Sequence, residues 1–168
     1  MQQDPNNYWM QMERLERLIR ASELKAGIIF SFHSLILGLF FDRLEYLQGV
    51  FNGNVVFIIL ICLWMVFVLI SIFFAFKCFM PRMELKYDKN VFFFRDAIYA
   101  FGSIEEYTNK LIEVCKSEEE LFKHLSHQIH IESKIIDHKF KSVQKSIKYF
   151  GISFIFLFLT LILLLISL

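Results

Sequence analysis

Cysteine is scarce in this sequence, and so are the spacings that metal centres require. Only 3 of the 168 residues are cysteine. Cys62 and Cys78 lie inside or at the edge of an apolar run, and Cys115 lies in a polar segment with no partner at metal-ligand spacing. We therefore expect neither a disulfide framework nor a zinc module, and we predict no metal site.

Recognisable catalytic motifs are missing as well. The chain contains no Walker loop, no G-x-G-x-x-G, no G-x-S-x-G and no H-E-x-x-H sequence, and no paired carboxylates in a catalytic setting. Its formal net charge is +1, which gives no global electrostatic attraction to nucleic acid. We therefore predict that the protein is not an enzyme, has no cofactor and has no nucleic-acid partner.

Apolar residues, in contrast, are abundant. Hydrophobic residues make up 56% of the chain, 21 residues are Phe and only 2 are Pro, which is far more apolar than an ordinary soluble domain. The first apolar run begins after residue 24 and follows acidic as well as basic residues, without a small-residue cleavage pattern behind it. We do not interpret it as a signal peptide. The composition predicts an integral membrane protein.

Three apolar runs have the character of membrane-spanning helices. Residues 55–80 contain a single charge and residues 149–168 contain none, and as helices both reach the roughly 30 Å of a hydrocarbon core. Residues 26–41 reach only about 24 Å, so a re-entrant hairpin is the alternative to the full crossing that the charge distribution favours. Three polar residues of this run are candidates for a pathway across the membrane: Ser31, His33 and Ser34.

Lysine and arginine are distributed unevenly around these runs. Four precede the first run, one lies in the loop 42–54, and thirteen lie from Lys77 to Lys148. The positive-inside rule places the N-terminus and the middle region in the cytoplasm, and the loop and the C-terminus outside. The predicted fold class is an all-α membrane protein with three transmembrane helices and a cytoplasmic helical region. Its segments are a cytoplasmic amphipathic helix over 1–25, a transmembrane hairpin over 26–80, the cytoplasmic helical region over 81–148 and a C-terminal transmembrane helix over 149–168.

Two capping boxes mark helix starts in the cytoplasmic region. The pairs are Ser103 with Glu106 and Ser117 with Glu120. In each pair the hydroxyl and the carboxylate satisfy amide donors at the helix end. The first pair predicts a helix over about 104 to 115. After the second pair neither Gly nor Pro occurs before Gly151, so this helix is predicted to continue into the membrane over about 75 Å.

Two other segments leave alternatives open. Residues 8–24 have an amphipathic helical pattern, which fits a helix that packs on the middle region or one that lies on the lipid surface. The aromatic patch at 91–94 is too short to span a membrane. It fits either a short buried strand or a helix start.

A heptad repeat along the long helix indicates a packing seam. The apolar residues that recur every seven positions are Phe122, Ile129, Ile136, Val143 and Phe150. The second position of the seam is polar at Glu132, Lys139 and Ser146, which favours packing against the other cytoplasmic helices over a simple dimeric coiled coil. We expect a homo-oligomer, and the pattern does not give its number.

Histidines and lysines cluster on the same helix. His124, His127 and His130 are spaced by three, so their rings fan around the helix instead of converging on one ion, and we interpret them as packed or polar residues or as ligand contacts. The later lysines form a basic segment next to the membrane, which suits anionic lipid or an anionic ligand. These lysines are Lys134, Lys139, Lys141, Lys145 and Lys148.

Several short pieces of the sequence occur in a characteristic order. They are Glu23-Leu-Lys25-Ala26-Gly27, Phe32-His33-Ser34, Pro81-Arg82, Phe93-Phe94-Arg95-Asp96, Glu106-Tyr107, Gln128-Ile129-His130, Ser133-Lys134-Ile135 and Lys139-Phe140. In this order, over nearly the whole chain, they resemble the transmembrane effectors of Pycsar antiphage systems. The family commonly has Asp where this chain has Glu23, a change that keeps the charge. The matches without an assigned role are Glu23, Lys25, Asp96, Tyr107, Gln128 and Ser133.

The resemblance implies a bacterial defence effector in the inner membrane, paired with a pyrimidine cyclase. It would respond to cyclic CMP or cyclic UMP by damaging the lipid bilayer, which causes abortive infection. Contacts to the phosphate of such a ligand need cationic donors. The candidates for these contacts are Arg82, Arg95, Lys134 and Lys139. The alternative functions are a small ion channel and a membrane-anchored scaffold, neither of them gated by a nucleotide.

Overall fold

The structure, a computed structural model, describes residues 4–46, 54–80 and 88–167. Its helices are α1 (Pro5–Asp42), α2 (Val55–Phe79), α3 (Phe94–Tyr99), α4 (Ile104–Lys116) and α5 (Glu118–Ser167). Within the described residues the helices are joined by loops, and no strand occurs. Helices α1, α2 and α5 are long and apolar enough to cross a membrane. The predicted all-α membrane fold is confirmed.

The two longest helices are unbroken. Helix α5 covers 50 residues, about 75 Å of helix, which confirms the prediction that it continues from the capping serine into the last apolar run. Helix α1 covers 38 residues and joins the amphipathic segment to the run 26–41. An unbroken helix is the arrangement that a full crossing by this run requires, because a re-entrant hairpin needs a break.

The capping box predicted at Ser103 is complete at the start of α4, and one of the two bonds of the box predicted at Ser117 is described at the start of α5. At α4, Ser103 Oγ accepts a hydrogen bond from Glu106 N at 3.2 Å, and Glu106 Oε2 accepts one from Ser103 N at 3.3 Å. The preceding Gly102 has φ +72°, and a Cβ there would collide with the Glu106 carboxylate, so glycine suits this position. At α5, Glu120 N donates to Ser117 Oγ at 3.4 Å.

The chain divides into two compact units. The first, which we call the polar unit, contains the described residues 4–20 and 88–137. The second, which we call the bundle unit, contains the described residues 21–46, 54–80 and 138–167. Helices α1 and α5 contribute residues to both units.

In the bundle unit α1 and α2 form an antiparallel pair. The ring of Phe30 lies 5.2 Å from that of Phe76, and the ring of Phe40 lies 5.0 Å from that of Trp64. As the residue number rises along α1 it falls along α2, which is the direction a hairpin requires. Both contacts have the edge-to-face geometry that aromatic pairs prefer.

Helix α5 packs antiparallel to α2 in the same unit. Phe67 stacks on Phe156 with ring centroids 5.3 Å apart, and Phe74 stacks on Tyr149 at 5.7 Å. The core of this three-helix bundle changes along its length. At one end it consists of the small or medium residues Ala26, Ala75, Cys78 and Val143. Further along it consists of Phe57, Ile61, Trp64 and Val68 with apolar neighbours from α1 and α5.

The outer surface of the bundle unit is also apolar. Val55, Phe73 and Leu165 are 72%, 61% and 73% exposed, and many other large apolar side chains of these helices are exposed with them. Soluble monomers rarely expose so much contiguous apolar surface. This surface suits a protein that is covered by lipid.

Candidate functional site

Asn90 makes several hydrogen bonds within the polar unit. It is fully buried, and its Nδ2 donates a hydrogen bond to the His124 backbone oxygen on α5 at 2.8 Å. Its Oδ1 accepts from Phe92 N at 3.0 Å, and its backbone N donates to Asp96 Oδ2 at 2.9 Å. One side chain therefore holds the segment before α3 against α5 and orders the turn that leads into α3.

Tyr107 on α4 holds the same segment from a second side. Its hydroxyl donates to the Val91 backbone oxygen at 3.1 Å, and Val91 is buried. The aromatic patch at 91–94 is therefore a loop that leads into the start of α3 at Phe94. Of the two interpretations left open, the helix start is confirmed and the strand is wrong.

The N-terminal part of α1 belongs to this unit through aromatic contacts. Tyr8 stacks on Phe122 of α5 with ring centroids 5.1 Å apart, and Trp9 meets the ring of Phe92 edge-on at 5.6 Å. Met12 of α1 is buried. This helix packs on the middle region, which is the first of the two arrangements predicted for it.

The three clustered histidines have different surroundings. His124 and His127 are half-buried, and His130 is exposed. Burial lowers the pKa of His124, and nearby cations add to this effect against the opposing charge of Glu120. Burial therefore favours the neutral form of the His124 imidazole, whose Nδ1 lies 3.4 Å from Asn90 Oδ1. Among the described residues no group of three His, Cys, Asp or Glu side chains is arranged to hold a metal ion.

Gln128 and Glu132 form a polar pair one turn apart on α5. Gln128 Nε2 donates to Glu132 Oε1 at 3.0 Å. Gln128 Oε1 and Glu132 Oε2 are both buried and have no hydrogen-bond partner among the residues that the structure describes. Burial raises the pKa of Glu132 and the charge of Glu16 raises it further, while the bond from Gln128 lowers it. The folded protein therefore binds a proton at Glu132 more tightly than the unfolded chain does.

Glu132→Gln is expected to remove a pH dependence of stability. Because the pKa of Glu132 is raised on folding, the stabilisation is present at low pH and is lost as the pH rises through the range from the usual value to the raised one. The variant should match the wild type at the acidic end and exceed its thermal stability at pH 7.5. Unfolding midpoints across this range measure the effect, with the exposed Glu119→Gln as a control that leaves the pH profile unchanged. If the unfolding midpoints of Glu132→Gln and wild type change with pH in parallel, burial of this carboxyl does not make stability depend on pH.

The residues predicted to contact phosphate do not all belong to one unit. Arg95 is exposed on α3, and Lys134 is exposed on α5, both in the polar unit. Ser133 beside it is half-buried. Lys139 belongs to the bundle unit and is buried, whereas Arg82 lies outside the described residues. Nucleotide contact by these residues stays a prediction.

In the bundle unit Lys139 joins three helices. Its Nζ donates to Glu23 Oε1 on α1 at 2.7 Å and to the Cys78 backbone oxygen on α2 at 2.6 Å. A buried ammonium needs such partners, because an unpaired charge in an apolar setting is very costly. Lys25, two residues after Glu23, is exposed and places its Nζ 5.9 Å from the centre of the Phe140 ring.

A pair of serines joins α2 to α5 in the same unit. Ser71 Oγ donates to the Ser146 backbone oxygen at 2.9 Å, and Ser146 Oγ donates to the Ser71 backbone oxygen at the same distance. Both residues are fully buried. Small side chains of this kind let two helices approach closely, and the reciprocal bonds satisfy both hydroxyl donors.

The three candidates for a membrane pathway do not share one face of α1. His33 is buried against the ring of Phe150, with centroids 4.9 Å apart, and its Nε2 has no hydrogen-bond partner among the described residues. Ser31 and Ser34 are exposed and donate to backbone oxygens of their own helix at 2.9 and 3.0 Å. Ser31 lines an otherwise largely apolar groove of about 670 Å³ that also includes Glu23 and Phe79.

Comparison with known proteins identifies the chain. The family model of the Pycsar effector protein domain, PycTM, matches residues 7–166. The chain belongs to the Pycsar effector family. A search of curated proteins and a search of solved structures gave no match. The chain is therefore an effector of antiphage defence that works with a pyrimidine cyclase system.

Several motif matches without an assigned role make specific contacts in this Pycsar effector. Asp96 and Tyr107 hold the segment before α3, Gln128 donates to Glu132, and Glu23 pairs with Lys139. The contacts of Asn90 and of the serine pair were not predicted from the sequence. A buried role for Asn90 has one local signal, an asparagine directly before an aromatic run, but its partner on α5 is 34 residues away.

Proposed function

We propose that this Pycsar effector responds to cyclic CMP or cyclic UMP by impairing the integrity of the bacterial inner membrane, so that an infected cell dies before the phage is released. The observation that carries the proposal is the family match over residues 7–166. Three helices with apolar outer surfaces support a site of action in the lipid bilayer. The positive-inside rule supports an orientation with the N-terminus and the middle region in the cytoplasm.

The proposed mechanism is a shift between two arrangements of the helices. A nucleotide changes an equilibrium only if it binds one arrangement better than the other. The polar unit offers cationic donors for its phosphate in Arg95 and Lys134, and Arg82 is a further candidate. Helices α1 and α5 contribute residues to both units, so binding would reach the membrane spans through these two helices. Gathering of several copies would then open a pore or thin the bilayer at the short run 26–41.

The decisive experiment is dye leakage and membrane potential in liposomes that carry the full chain. Cyclic UMP, cyclic CMP, cyclic AMP and buffer alone are compared. Leakage with a cyclic pyrimidine alone is the expected result. Leakage in every arm would indicate an ion channel without nucleotide gating. Intact membranes in every arm, with a soluble protein that co-purifies with the chain, would indicate a scaffold.

His33→Leu is expected to reduce nucleotide-triggered leakage. The imidazole is a buried polar group in an apolar bundle, and such groups in membrane spans commonly take part in function. Ser34→Leu removes an exposed hydroxyl from the same span and is expected to act in the same direction. The nearby buried Ile29→Leu keeps an apolar side chain and serves as the control. Leakage that is unchanged in both polar variants would exclude these residues from the pathway.

A further inference from the structure

The contact of Lys139 with Glu23 and Cys78 lies where α2 ends. Helix α2 ends at Phe79, so the Cys78 carbonyl belongs to the last turn, whose carbonyl oxygens have no partner within the helix. A cation at this position also interacts favourably with the negative end of the helix dipole. Lys139 therefore supplies from α5 a donor for the end of α2 and adds a second cation to Lys77 of the same turn.

The two charged partners differ in how deeply they are buried. The Lys139 side chain is 8% exposed, and that of Glu23 is 38% exposed. The ammonium thus depends on its two protein partners, whereas the carboxylate is also accessible from outside the bundle. If α1 moves away from α5, Glu23 gains water, but Lys139 is left with one partner in apolar surroundings. The contact consequently opposes separation of these helices.

The side chains around this contact are small and closely packed. The nearby core of the bundle is built from small, fully buried side chains, Ala26, Ala75 and Cys78 among them. Ser22 on α1 is also fully buried, and its Oγ lies 3.9 Å from Cys78 Sγ. Such close packing has discrete arrangements and does not deform continuously. A contact that stabilises one such arrangement therefore opposes a change to another.

We infer that Lys139, Glu23 and the Cys78 carbonyl form an autoinhibitory contact, here called the lysine clamp, that keeps the bundle in its non-leaking state until the nucleotide acts. This inference rests on the proposed function, because it assigns the resting state of the same membrane response. Lys139 is then a positioning residue of the bundle. Direct contact of Lys139 with the nucleotide phosphate stays a separate prediction.

The clamp predicts leakage without any nucleotide when the charge of Lys139 is removed. Lys139→Met keeps an unbranched apolar stem, loses both hydrogen bonds and leaves Glu23 partly exposed to water. We expect its basal leakage to rise about tenfold or more above wild type. Glu23→Gln removes the ion pair but leaves the bond from Lys139 to Cys78, so its basal leakage should rise less. Lys123→Met removes an exposed lysine of the same helix that lies outside the basic segment, and it should behave as wild type.

The test uses the full chain in vesicles of phosphatidylethanolamine and phosphatidylglycerol. Dye release is measured without nucleotide and with cyclic UMP or cyclic CMP, and circular dichroism establishes that each variant is folded. High basal leakage of Lys139→Met, with intermediate leakage of Glu23→Gln, is the expected result. A folded Lys139→Met protein that releases no more dye than wild type without nucleotide overturns the clamp. If Lys139→Met does not fold, the same comparison between Glu23→Gln and wild type decides the question.

The two proposals fail in different ways. Basal leakage of the clamp variants is measured without nucleotide, so it does not depend on the identity of the trigger. A wild-type protein that ignores both cyclic pyrimidines, together with a leaking Lys139→Met variant, would reject the nucleotide response and retain the clamp. A wild-type protein that leaks with a cyclic pyrimidine, together with a Lys139→Met variant that does not leak without nucleotide, would retain the nucleotide response and reject the clamp.

Discussion

Ser146→Leu is expected to destabilise the bundle unit by about 3 kcal/mol or more. The serine is fully buried, and its Oγ lies 3.3 Å from Ser71 Oγ. A leucine at this position has to push α2 and α5 apart, and it removes the hydroxyl that donates to the Ser71 backbone oxygen. Overpacking and the lost hydrogen bond therefore act in the same direction.

The measurement is the thermal unfolding midpoint of the detergent-solubilised protein, followed by circular dichroism. Ser146→Ala loses the hydrogen bond without overpacking and should cost only about 1 kcal/mol. Ser126→Leu is the matched control, because it makes the same substitution at an exposed position of the same helix. Equal midpoints for Ser146→Leu and Ser126→Leu would mean that α2 and α5 are not in close contact at this point.

Asn90→Ala is expected to destabilise the polar unit by about 3 kcal/mol. The alanine leaves the His124 carbonyl without its donor and Phe92 N without its acceptor. Both groups lie around a position that is fully buried, so water does not readily replace the lost bonds. Breaking one partner of a buried hydrogen bond costs more than the bond itself contributes.

Hydrogen exchange followed by mass spectrometry is the appropriate measurement for this variant, because it resolves the polar unit from the bundle. We expect faster exchange in the amides of 88–100 and of α4, with little change in α2. Asn109→Ala replaces an exposed asparagine of α4 and should leave the exchange pattern as it is in wild type. Unchanged protection around residue 92 in Asn90→Ala would contradict the central role of Asn90.

The sequence alone predicted the helices well because their signals are local. The serine at 103, the glutamate three residues later and the absence of Gly and Pro over 118–150 all lie within the elements that they define. The continuity of α1 was less visible, because its amphipathic segment and its apolar run have different patterns and were assigned to separate segments. An apolar pattern reports the surroundings of a helix and does not show whether the helix continues.

The packing seam of α5 shows what a sequence pattern does not predict, namely the distant partners of its polar residues. Lys139 and Ser146 were interpreted as polar interruptions of a heptad seam, yet both are buried and form part of the packing face. Their partners are the Cys78 carbonyl and Ser71, which lie 61 and 75 residues away in the chain. The sequence around a residue carries no information about so distant a partner. A polar residue in an apolar pattern therefore looks unfavourable when one helix is considered alone, although it forms a contact between two helices in the fold.

The three cysteines lie in three different surroundings, which gives the natural chain its own chemical reporters. Cys115 is exposed on α4 in the polar unit, Cys62 is exposed on the apolar surface of α2, and Cys78 is buried beside the lysine clamp. Thiol alkylation requires access of the reagent to the sulfur. A water-soluble maleimide thus reaches Cys115 first, a lipid-soluble one also reaches Cys62, and Cys78 becomes reactive as the clamp opens. The rate of Cys78 alkylation therefore measures how often the clamp opens, and the measurement needs no engineered cysteine.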